Sequence, residues 1–93
     1  MYATVRVYAD NSELADALVA NEAEVKRVVS GIGGFKAYYL LRTADGAASI
    51  SVYDDQSGAD QSTTAAAAWI RENLPDIGAA SPQVSAGEVV ISA

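Results

Sequence analysis

From Tyr2 to Ala9 the chain alternates, with Ala3, Val5, Val7 and Ala9 on one face and Tyr2, Thr4, Arg6 and Tyr8 on the other. A period of two predicts a strand with one smooth apolar face and one mixed face. Asp10-Asn11-Ser12-Glu13 breaks it, with capping-box spacing between Asp10 and Glu13. The pattern then turns helical to about Val29, with Leu14, Ala17, Leu18, Val25, Val28 and Val29 on one stripe. Asn21 falls on or beside that stripe and weakens its middle. Ser30-Gly31-Ile32-Gly33-Gly34 ends the helix, with glycine expected to supply the left-handed stop.

The stretch Phe35–Tyr53 predicts a hairpin. Phe35–Thr43 and Ala47–Tyr53 are rich in aromatic and branched residues, and Ala44-Asp45-Gly46 lies between them. An Asp-Gly pair between apolar runs is a turn signal, because glycine accepts the positive φ that such turns use. Ser57 and Asp60 have capping-box spacing and open a helix from about Gly58 to Asn73. Pro75 and Gly78 stop it, Ile77–Pro82 reads as a loop, and Gln83–Ser92 as a last strand.

The order β-α-β-β-α-β is that of the split βαβ, ferredoxin-like α+β arrangement: one domain over residues 1–93, an antiparallel four-stranded sheet and two helices on one face. The smooth faces, Val5 and Val7 with Ile50 and Val52, are expected under the helices, as are Phe35 and Tyr39. The other face would then carry Tyr2, Thr4, Arg6, Tyr8, Lys36, Tyr38, Leu40, Arg42, Ser49, Ser51 and Tyr53 without cover from its own chain. Such a patch points to a partner or a ligand, and a second copy of the sheet is its simplest cover.

Composition narrows the chemistry. The 93 residues are 51% hydrophobic and 19% charged, an ordinary globular balance. Without a leader-like or membrane-length apolar run, a soluble cytoplasmic protein is expected. Cys and His are both absent, which removes thiolate chemistry, the usual general base and the commonest zinc and haem ligands. A net charge of −6 gives no basic footprint for nucleic acid.

The element order, GGFKAYYLLRTADG, SISVYDDQSGAD and AAAAWIRENL with its Trp together resemble the dimeric α/β-barrel superfamily, and within it the antibiotic-biosynthesis-monooxygenase-like proteins. The resemblance covers nearly the whole chain. It implies a homodimer whose sheets face each other, with a pocket in each subunit. It also implies relatives that include cofactor-independent oxygenases on polycyclic aromatic compounds, haem-degrading enzymes, isomerases and proteins of unknown role. Haem-degrading relatives use a helix-two histidine with an Asn and a Trp. Here only Trp69 matches, and the absent His disfavours that activity. Oxygenase relatives pair an Asn, a Trp and an Arg; Arg6 and Arg42 are unaligned candidates for the Arg, and Asn73 lies close to the helix end.

Each candidate has a functional and a plainer reading. Trp69 either lines a pocket or is a core residue whose N–H finds a carbonyl. Tyr8, Tyr38 and Tyr53 either bind substrate in a cavity or fill a dimer interface. Arg6, Lys36 and Arg42 either stabilise an enolate or phenolate or form ion pairs, and mid-strand Arg6 is the best single candidate for catalysis. Asp54-Asp55 has no third ligand, so no metal site is expected, and Gly31, Gly33 and Gly34 do not follow a strand as a phosphate loop would. Two classes of function remain. One is a homodimer with a ligand pocket, no cofactor and no assignable reaction. The other is a cofactor-independent monooxygenase or isomerase on an aromatic or polyketide-like molecule.

Overall fold

The computed structural model describes residues 1–77 and 81–93. Strand β1 (Tyr2–Tyr8) leads into helices α1 (Leu14–Ala20) and α2 (Glu22–Ser30). Strands β2 (Phe35–Arg42) and β3 (Ala47–Tyr53) follow, then the long helix α3 (Gln56–Asn73), a 3-10 turn at Pro75–Ile77 and strand β4 (Gln83–Glu88). The sheet order is β2-β3-β1-β4 and every pairing is antiparallel. This is the expected ferredoxin-like α+β fold. No helix among the described residues is long and apolar enough to cross a membrane.

Local details depart from the sequence reading for identifiable reasons. The first helix is two, because Asn21 leaves the helical region (φ −113°, ψ 31°) and its side-chain amide donates to the Ala17 carbonyl. The Asp10/Glu13 capping box does not form; Glu13 precedes α1 without a side-chain cap. Helix α3 starts earlier than expected, because Asp55 rather than Ser57 caps it, accepting from the Gly58 N–H at 3.1 Å. The final strand ends at Glu88 instead of Ser92. Gly78, expected to stop α3, lies outside the described residues.

Two glycines matter for reasons other than those anticipated. Gly31 at the end of α2 keeps right-handed geometry (φ −74°), and the positive φ belongs to Gly34 (83°). In the hairpin, Gly46 has no positive φ; its missing side chain lets the turn approach the β1 backbone. A Cβ there would overlap the Tyr8 carbonyl oxygen, and the neighbouring Asp45 carbonyl accepts from the Asn11 N–H at 3.0 Å. Gly46 therefore ties the hairpin to the end of β1.

The largest correction concerns the two sheet faces. Val5, Val7, Ile50 and Val52 do share a face, but it is the open one. Thr4, Arg6, Tyr8, Ser49, Ser51 and Tyr53 are buried under the helices. The open face adds Ala3, Ala37, Tyr39, Leu41 and Ala48 and carries no charged residue, with Tyr39 58% and Leu41 46% exposed. Tyr39 thus lies opposite the helices, contrary to expectation. A register shift between Phe35 and Ala37 leaves Phe35 on the helix side, edge-on to Tyr53 with ring centroids 5.8 Å apart. The reason for the inversion lies in α3. Its residues Gly58, Ala59, Ser62 and Ala66 are small, so the helix lies close over the mixed face and supplies hydroxyls to it. Beneath Gly58, a Cβ would stand 2.9 Å from the Tyr53 ring.

Gly46→Ala should lower the urea-unfolding free energy by about 1–3 kcal/mol, because the clash is with backbone that cannot rotate away. Gly87→Ala, with nothing within 4 Å of the added methyl, should change it by less than about 0.5 kcal/mol.

Candidate functional site

Arg6 is the centre of the mixed face. Its side chain is 1% exposed and lies between the sheet and α3. Nε–H donates to Ser49 Oγ at 3.0 Å, Nη2 to Ser51 Oγ at 2.6 Å, and Nη1 to Ser62 Oγ at 3.0 Å and Thr63 Oγ1 at 3.1 Å. The strand period places Ser49 and Ser51 beside Arg6, since Arg6 pairs with Ser49 across β1 and β3. Ser62 and Thr63 come from the second turn of α3, where Ser62 also donates to the Ala59 carbonyl at 2.7 Å. Every one of these partners is a neutral hydroxyl. The ion pairs among the described residues are Lys26–Glu22, Arg27–Glu24, Lys36–Asp54 and Arg42–Asp16, all with exposed side chains. Arg6 is in none of them. Buried charges are ordinarily paired, because an unpaired one forfeits its hydration without Coulombic return.

Arg6 also lines a narrow recess, walled besides by Tyr8, Tyr38, Trp69, Leu18, Val25 and Ile70. Its volume is about 20 Å³, on a measure where one water takes roughly 10–15 Å³. Four of the five residues singled out from the sequence thus meet here: Arg6, Tyr8, Tyr38 and Trp69. Tyr53 stands apart from this lining. It is fully buried against Gly58, and its hydroxyl donates to the Val29 carbonyl at 2.6 Å. Trp69 is 8% exposed and its indole N–H reaches the Glu24 carboxylate at 3.4 Å, tying α3 to α2. Lys36 and Arg42, grouped with Arg6 in the sequence, sit instead in exposed ion pairs.

The electrostatics of the recess are those of a donor set. Burial pushes the Tyr8 and Tyr38 phenols above their ordinary value of 10.0, and the Arg6 cation opposes the rise without reversing it. Tyr53 is raised for the same first reason. At neutral pH these groups are O–H donors, not bases. The recess therefore offers one cation and neutral phenols to an incoming oxygen anion, with no carboxylate or imidazole in its wall. Thr4, on the same face, has a buried hydroxyl without a hydrogen-bond partner among the described residues. No group of three or more metal-ligating side chains occurs among the described residues.

Sequence reasoning missed Ser62 and Thr63. A signal was present: Ser62, Ala66, Trp69 and Ile70 follow the spacing of one helical face. A hydroxyl on that buried stripe required a polar partner on the sheet.

Fold and site together define a ferredoxin-like α+β unit with an Arg6-lined recess between sheet and helices. Solved structures share this fold across almost the whole chain. A protein of unknown function from Nitrosomonas europaea, NE2512, superposes with TM-score 0.67 at 16% identity, covering 99% of this chain and 90% of that one. The heme-degrader MhuD from Mycobacterium tuberculosis, solved with two hemes bound in its active site, gives TM-score 0.63 at 17% identity over 100% of this chain and 99% of that one. The ActVA-Orf6 monooxygenase of Streptomyces coelicolor, in complex with Nanaomycin D, gives 0.60 at 17% identity over 98% and 91%. No family model matches the chain, and no curated protein matches it in sequence. At these identities the likeness is one of fold. A haem does not fit the recess as built: it contains no imidazole or thiolate, and its phenols are held protonated.

The raised phenols have a stability consequence with a definite sign. Below pH 10 folded and unfolded chains both keep these protons. Above it the unfolded chain releases them first, so folding stability falls as pH rises. The urea midpoint should be level between about pH 7 and 9 and drop above about pH 10. In a Tyr8→Phe/Tyr38→Phe variant the alkaline drop should be shallower, read by Trp69 fluorescence.

Proposed function

We propose that this protein is a cytoplasmic homodimer that binds a small aromatic or otherwise apolar monoanion at Arg6. The observation that carries the reading is a buried guanidinium held by four hydroxyls and no carboxylate, on a residue that lines a recess. A carboxylate, phenolate or enolate oxygen is the partner that such a cation lacks. Tyr8 and Tyr38 donate to the same anion, and Trp69 closes the wall beside it. Tyr53 serves the site from behind by seating α3 on the sheet. Benzoate is a suitable probe. At a hundredfold excess over its Kd it should raise Tm by on the order of 10 °C. Arg6→Met should weaken binding by about 2–5 kcal/mol, read by calorimetric titration. Equal affinity in both proteins would remove Arg6 from the site.

The second copy is supported by the open sheet face. Val5, Val7, Tyr39, Leu41, Ile50 and Val52 form a continuous apolar surface without charge. Such a surface is stable in water when another copy covers it. Light scattering should give twice the 9.6 kDa chain mass at micromolar concentration, and Tyr39→Glu should halve it. A wild-type monomer would contradict the dimer.

A cofactor-independent monooxygenase or isomerase is the second reading. It is favoured by the donor-only wall, which suits a substrate on which negative charge builds at oxygen. The wall supplies no base, so the substrate must reach the site already ionised or lose its proton to water. Oxygen uptake with anthrone-like phenols, lost in Arg6→Ala, is the readout for the oxygenase form.

A further inference from the structure

At about 20 Å³ the recess has room for a water and none for an aromatic ring. A larger ligand enters only when one wall gives way. Three walls meet there: the sheet, the long helix α3, and the pair α1–α2, which contributes Leu18, Val25, Val28 and Val29. The first two are fixed. β1, β2 and β3 share continuous ladders. α3 is capped by Asp55, seated on Tyr53 at Gly58 and bonded to Arg6 through Ser62 and Thr63. The third wall is two helices of seven and nine residues, neither with a side-chain cap at its N-terminus. Helices this short depend on packing for their stability. Their far ends have it: Leu14 is fully buried, and the Val29 carbonyl accepts from the Tyr53 hydroxyl.

The elbow between the two helices is held far less. Val19, Ala20, Glu22 and Ala23, around the break at Asn21, are exposed. A depression of about 250 Å³ lies between the elbow and β2, lined by Leu18, Val19, Val25, Tyr38 and Leu40. Among the described residues, one hydrogen bond ties residues 18–25 to the rest of the fold: the Trp69 indole N–H donates to the Glu24 carboxylate at 3.4 Å. We propose that the α1–α2 elbow is a flap that controls admission to the Arg6 site. Leu14 and Val29 are its anchored ends and Asn21 its joint. Leu18 and Val25, on either side of the joint, line both the recess and the depression, so lifting them merges the two spaces. The bonds at Asn21, to the Ala17 carbonyl and from the Val25 N–H, lie within the flap, so its swing breaks none to the sheet. Glu24 is the latch. This proposal rests on the anion site described above and adds how that site is opened. Because the narrow form excludes the ligand, apparent affinity scales with the fraction of molecules whose flap is raised.

Two measurements on the intact protein test it. The first needs no ligand: amide hydrogen exchange followed by NMR. The Val25 N–H, bonded to the Asn21 carbonyl, should exchange by local opening at least about tenfold faster than the amides of β3, and faster again in Glu24→Ala with β3 unchanged. The second is calorimetric titration with benzoate. Glu24→Ala should bind it about threefold or more tightly than wild type, the worth of one hydrogen bond that held the flap down. Glu24→Gln removes the same negative charge but keeps an acceptor for Trp69, and should stay within about twofold of wild type. If Val25 exchanges no faster than β3, or if Gln tightens binding as much as Ala, the flap is overturned. The anion site still stands in either case if Arg6→Met loses benzoate. If benzoate does not bind wild type, the anion site falls, and the flap's role falls with it.

Discussion

The structure depends on one arrangement: a buried guanidinium held by serine and threonine hydroxyls where a carboxylate would ordinarily be. Arg6 donates to Ser49 and Ser51 on β3 and to Ser62 and Thr63 on α3. These bonds join the two central strands and the long helix through a single side chain. Hydroxyls satisfy the directional requirement of the N–H groups but do not neutralise the charge. The fold therefore keeps a net cation in a place where replacement by an apolar side chain would be the simpler solution. A buried charge retained at that cost, beside a recess with protonated phenols, is the ground for the anion site proposed above.

The same arrangement settles which way the sheet faces. α3 presents small residues and hydroxyls, and only the mixed face has groups that can use them. Tyr8, Tyr53 and Tyr38 bring ring area to that side, so it is still a core, with Leu14, Leu18, Val25, Trp69 and Ile70 packed against it. The apolar face of Val5, Val7, Ile50, Val52 and Tyr39 is left outside. A single chain gains by burying either face. Two copies gain by burying both, and the charge-free face of Val5, Val7, Ile50 and Val52 suits that use.

Much of the fold was legible in the chain. The alternation in β1, the hairpin and the long helical stripe gave element types, order and sheet class, because each rests on local periodicity. The grouping of residues by face was legible too, since side-chain alternation fixes it. Which face the helices cover was not. That choice depends on Ser62 and Thr63 meeting Arg6 across 56 and 57 positions of sequence. The Asp-Gly turn was found for a reason the structure replaces: Gly46 is small because Tyr8's carbonyl lies against it. Arg6, Tyr8, Tyr38 and Trp69 were singled out as candidates, and the chain brings them together on the covered side instead of the open one. The recess could not be read from sequence, because its wall is assembled from residues of all three helices and of β1, β2 and β3.

The central claim concerns the Arg6 cation, and the most direct measurement is its own Nε–H signal in a ¹⁵N–¹H NMR spectrum. The group is buried and bonded to Ser49 Oγ, so its signal should be resolved and protected from exchange at neutral pH. Adding benzoate should shift it saturably, while the neutral benzyl alcohol should leave it in place. A signal unmoved by the anion, or moved equally by the alcohol, would contradict the account of Arg6 as an anion receptor.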